Sequence, residues 1–127
     1  MKTETYKELV DVHLQNRIWR NELELALLEI DFWEDLHETN TTANQPATKD
    51  SVEIMSQLHH YQRLAQRLLG EVEQQDLEVA DGVRVNRILT TPTPDDRKYL
   101  REQMDTFRVN FQRFKNDIRQ FFVTQAA

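Results

Sequence analysis

Wound at about 100° per residue, the 3.6-residue period of an α-helix, the stretch from roughly residue 4 to 39 carries apolar side chains on two opposite faces. One stripe runs Leu9, Val12, Trp19, Leu23, Ala26, Ile30 and Trp33. A second, half a turn away, runs Leu14, Ile18, Leu25, Leu28, Phe32 and Leu36. A surface helix of a globular domain has one such stripe and one wet face. Two stripes predict partners on both sides of this helix, and the second partner is a candidate for another chain.

The next pattern begins after Thr39-Asn40-Thr41-Thr42-Ala43-Asn44-Gln45-Pro46, a run that competes with helix through its short polar side chains and its proline. Asp50 or Ser51 is a candidate cap for a second helix. Its apolar positions are Ile54, Leu58, Tyr61, Ala65, Leu68, Val72 and Val79, with Gln75 in one slot, so the spacing alternates 4 and 3. That is a heptad seam. It carries the predicted helix past Gly82 over 50–89, with Gly82 left open as a place for a kink or fray.

A third helix is predicted over 94–124. Thr93 is placed to cap it, Pro94 suits its first position, and Asp95 and Asp96 face the positive end of its dipole. Its seam reads Leu100, Met104, Phe107, Phe111, Phe114, Ile118 and Phe121, again alternating 4 and 3. Four phenylalanines there predict thick aromatic core layers.

Three such helices, joined by short to medium connections, make an all-α, antiparallel up-down-up three-helix bundle. At about 1.5 Å per residue each helix spans roughly 45 to 57 Å. The 3.5-residue period favours a left-handed, coiled-coil-like crossing. The arrangement Trp19-x-x-Glu22-Leu23 on a long first helix resembles spectrin-type three-helix repeats over those few positions. The likeness supports the fold and implies no function.

The second stripe of the first helix has two destinations within this architecture. In a flat layer the first helix lies between the other two, and both stripes are used inside the chain. In a triangular bundle the residues Leu14, Ile18, Leu25, Leu28, Phe32 and Leu36 stay outside as an apolar patch. Covering a large apolar side chain contributes about 1.5–3 kcal/mol before association costs. A homodimer through this face is therefore the expected arrangement, with a foreign helical partner as the alternative.

Composition narrows the function. The chain has 127 residues, enough for one domain with a real core, and only 2 Gly and 3 Pro, so its elements must be few and long. A net charge of −6 argues against a nucleic-acid partner, which calls for a basic face. The absence of cysteine fits a reducing compartment, and the longest apolar run, Leu25 to Leu28, is far too short for a membrane span. A cytoplasmic location without membrane association is expected.

The chemistry is thin. Glu34-x-x-His37 has the spacing that places two metal ligands on one face of a ferritin-like bundle, and His59 and His60 would fold back toward it. A metal- or small-molecule-binding bundle of ferritin-like or hemerythrin-like type is thus the alternative function. Against it, the Glu-x-x-His unit occurs once and no histidine follows His60. The positions four beyond His13, His37, His59 and His60 are Arg17, Thr41, Arg63 and Leu64, so a hemerythrin-like spacing fails too. No nucleophile–base arrangement or phosphate loop is present, and neither a cofactor nor a catalytic residue is expected. Arginines recur along the second and third helices, among them Arg63, Arg67, Arg97, Arg101, Arg108, Arg113 and Arg119. They are expected to form a solvated face that pairs with acidic neighbours, with an anionic ligand as the alternative. The best functional expectation is a non-enzymatic structural or interaction module.

Overall fold

The computed structural model describes residues 2–43, 48–85 and 94–126, with side chains described over 6–39, 48–81 and 94–124. Three helices account for them: α1 (Lys2–Ala43), α2 (Lys49–Val85) and α3 (Pro94–Ala126). Among the described residues, no helix is long and apolar enough to cross a membrane.

Cross-helix pairs establish an up-down-up bundle. Arg108 clasps Glu22 and Lys115 pairs with Glu29, a step of seven residues on both helices, so α1 and α3 run parallel and in register. His13 pairs with Asp76 and His37 with Ser51, which sets α2 antiparallel to α1. Tyr61 and Arg67 reach Asn110 and Gln103 in the same antiparallel sense on α3.

The three seams converge on one core. Leu23, Ile30, Leu58, Leu68, Met104 and Ile118 are all fully buried there. α1 and α2 approach each other most closely, with Ala26 and Ala65 in their seams. On the α3 side, Tyr61 stacks on Phe114 with centroids 4.9 Å apart and packs against Phe107 and Phe111. The bundle is triangular, because α2 and α3 both pack on the inner stripe of α1 and leave the outer stripe in solvent. The flat layer is therefore ruled out.

Several sequence expectations change in detail. α1 continues past Thr39 to Ala43, and within it the Thr39 hydroxyl donates to the Asp35 carbonyl at 2.9 Å. The cap of α2 is Thr48 rather than Asp50 or Ser51. Its hydroxyl accepts from the Ser51 amide at 3.1 Å, while Asp50 faces the dipole from the first turn. α2 runs through Gly82 as helix to Val85. The expectations for 86–89 and for Thr93 as a cap lie outside the described residues. In α3, Phe122 takes the last buried slot and Phe121 is only partly buried. A seven-residue repeat drifts on a 3.6-residue helix, and Phe122 gains a stack on Trp33 with centroids 5.6 Å apart and planes 15° from parallel.

A second, smaller core cluster of Leu9, Val12 and Val79 lies toward the start of α1. Between it and the main core sit Asn16 and Gln75, both buried.

Two predictions follow from the packing. Leu68→Ala, at a fully buried site, should cost about 2–5 kcal/mol. Leu77→Ala, on the exposed face of the same helix, should stay within about 0.5 kcal/mol. Urea denaturation of the two variants checks the pair. Burial also lifts the Tyr61 phenol above its ordinary 10.0, with Arg113 acting in the opposite direction. The fold therefore favours the neutral ring. That contribution is intact below pH 10.0 and is lost as pH rises through the raised value. In an ultraviolet titration Tyr61 should ionise above its ordinary 10.0, with Tyr61→Phe removing that late step.

Candidate interaction surface

α1 buries one heptad seam and displays another. Leu14, Ile18, Leu25, Leu28 and Phe32 are each between 54 and 66% exposed. Leu36, the sixth residue of the expected stripe, instead packs in part against the main core. Asn21 stands between Ile18 and Leu25 and is exposed like its neighbours. With it, the outer row reads 14, 18, 21, 25, 28, 32, alternating 4 and 3 without a gap. The remaining large exposed apolar residues of α2 and α3, such as Leu77, Val109 and Val123, are scattered singly, which is ordinary for a protein surface.

The flanks of the outer row are charged. Arg17, Glu24 and Asp31 border it on one side, and Gln15, Glu22 and Glu29 on the other. Most of the acids are already answered within the chain. Arg108 donates from Nε and Nη2 to the two Glu22 oxygens at 2.6 and 2.8 Å, a bidentate clasp. Lys115 reaches Glu29 at 3.1 Å, and Arg20 pairs with Glu24 at 3.0 Å one turn away on α1. Arg108 and Lys115 of α3 thus pair with acidic neighbours on α1.

The histidine end of the bundle takes a different form from the metal site weighed above. His37 shares a hydrogen bond between Nε2 and the Oγ of buried Ser51. His59 and His60 are exposed on α2, and His60 lies edge-on to the Tyr61 ring. Glu34 is half-buried, with one carboxylate oxygen unpartnered. Among the described residues no three His, Cys, Asp or Glu side chains converge to hold a metal ion.

Some of what matters here escaped the pattern reading. Asn16 occupies the slot that the seven-residue gap between Val12 and Trp19 leaves in the inner seam. The gap was visible, and heptad spacing alone would have pointed to that residue. The His13–Asp76 pair, 2.7 Å apart, joins helices that only the folded register brings together.

Ser51 offers a test of the histidine end. His37→Ala leaves a buried hydroxyl without its partner and should cost about 1–3 kcal/mol. His59→Ala, at an exposed site, should change stability by less than about 0.5 kcal/mol. Both are read by urea denaturation at neutral pH.

The geometry of this surface has to speak for itself, since no protein-family model, curated protein or solved structure matches the chain.

Proposed function

We propose that this chain is a non-enzymatic protein–protein interaction module of the cytoplasm that self-associates as a homodimer through the outer row of α1. The observation that carries the reading is the exposed, gap-free heptad row on a helix whose opposite seam is already buried. Covering each of these half-exposed side chains would contribute about 1–2 kcal/mol. A two-fold dimer uses the row twice and is the commonest oligomer.

Charge is the main obstacle, and it selects an orientation. Residues 2–43 hold ten acidic and four basic side chains, while the rest of the chain has twelve of each. Pairing α1 with α1 therefore brings like charges together unless the flanks are arranged to answer them. An antiparallel pair centred between Asn21 and Leu25 does so. Its layers are Leu14 with Phe32, Ile18 with Leu28, and Asn21 with Leu25 of the second copy, each formed twice. Arg17 then meets Asp31 of the second copy twice, on the flank that both share. Glu22 and Glu24 approach their own copies near the axis, but Arg108 and Arg20 already hold them. A parallel pair would set Glu24 beside Glu29 and offer Arg17 only Glu22, which Arg108 occupies.

Because the chain has no cysteine, orientation can be tested by oxidation. A mixture of the single variants Leu14→Cys and Phe32→Cys should yield a covalent dimer of one with the other, and neither variant should cross-link alone. Cross-linking of Leu14→Cys with itself would instead show a parallel pair. Arg17→Glu should weaken association several-fold, given about 0.2–1 kcal/mol for each exposed ion pair, and Asp31→Arg in the same chain should restore it. Leu25→Glu with Phe32→Glu should give a folded monomer by circular dichroism and light scattering.

A further inference from the structure

Most of the unmet buried polarity among the described residues collects at one place. Among the described residues, six buried side-chain nitrogen or oxygen atoms lack a hydrogen-bond partner in the protein. Four of them, Asn16 Nδ2 and Oδ1, Gln75 Oε1 and Arg97 Nε, belong to residues that line a single cavity of about 270 Å³. The other two lie on Glu34 and Glu71, which do not line it. Asn16 is 1% exposed and Gln75 7%, so neither amide can turn to bulk water.

A buried amide in a heptad seam often fixes register by pairing across the seam. Asn16 makes no such pair, since both of its polar atoms are unpartnered. Which way either amide is turned does not alter this, because Asn16 carries one unmet donor group and one unmet acceptor in both orientations. The layer interrupts the core between the Leu9–Val12–Val79 cluster and Trp19, at the level where α3 begins.

The rest of the lining supplies charge. Arg97, Lys98 and Arg101, from the first two turns of α3, face the cavity, with Asp11 of α1 as the one carboxylate. Asp95 and Asp96, in the same first turn, do not line it. The positive end of the α3 dipole adds to the three cations. Trp19 and Val12 give the cavity an apolar side.

We propose that this cavity binds a small organic anion that also carries hydroxyl groups, the chemistry shared by hydroxy acids and sugar phosphates. The anionic group would accept from Arg97 Nε–H, Arg101 and Lys98. The hydroxyl groups would donate to the amide oxygens of Asn16 and Gln75 and accept from the Asn16 amide N–H. A bare inorganic anion meets the first set and not the second. The volume corresponds to about nine waters at their share of the liquid, which suits a compact metabolite rather than a nucleotide. The site lies on the inner side of α1 and does not depend on the dimer.

The test is a nuclear magnetic resonance titration of isotopically labelled protein at constant ionic strength, following the side-chain amide signals of Asn16 and Gln75. The probes are citrate, glycerol 3-phosphate, inorganic phosphate and glycerol. Citrate or glycerol 3-phosphate should move both amide signals saturably, inorganic phosphate should bind roughly tenfold more weakly, and glycerol should have no effect. Arg97→Gln with Arg101→Gln should weaken binding by roughly tenfold or more, as expected for lost charge-assisted hydrogen bonds. Asn16→Leu with Gln75→Leu should abolish the preference for hydroxylated anions over phosphate; if that variant does not fold, the arginine variant decides. Amide signals that stay still, or anions that bind the arginine variant as well as the parent, would overturn the proposal and leave the layer as a hydrated break in the core.

Discussion

A helix can bury only the arc that faces its neighbours, and α1 has apolar side chains on two opposite arcs. Everything else in this molecule follows from which arc the bundle uses. Trp19, Leu23, Ala26 and Ile30 go inward and share one core with the seams of α2 and α3. Once both partners lie on that side, Leu14, Ile18, Leu25, Leu28 and Phe32 have no intrachain neighbour left to cover them. The exposed row is therefore a consequence of triangular packing rather than an isolated surface irregularity. It gives the chain a surface suited to interaction.

Much of the fold was legible because periodicity is a direct projection of packing. The seams of α2 and α3 were readable almost residue by residue, and Pro94 stands at the start of α3 as its fixed φ favours. What was not legible depended on local or tertiary detail. α1 runs on past Thr39, whose hydroxyl bonds the Asp35 carbonyl, despite the helix-stopping composition of the residues that follow. Ser51 became buried and bonded to His37, which left capping to Thr48. Phe122 replaced Phe121 because the stack on Trp33 rewards a small drift in phase.

The candidate sites divide in the same way. The outer row was visible in sequence because it is a pattern on one helix, with polar Asn21 filling the slot between Ile18 and Leu25. The cavity around Asn16, Gln75 and Arg97 was not visible, because it is assembled from three helices and is defined by hydrogen bonds that are not made. The Glu34, His37, His59 and His60 set is a pattern of spacing only. Spacing on one helix suggested ligands, but in the fold His37 bonds Ser51 while His59 and His60 face outward.

The central claim is that the outer row of α1 joins two copies of this chain. Absolute mass by light scattering behind size exclusion, taken over a wide range of loading concentrations, addresses it most directly. The expected mass is about 30 kDa, twice the chain's 15.2 kDa, falling toward the monomer only on strong dilution. A mass of 15.2 kDa at every concentration would contradict it and leave the row as a surface for a different partner.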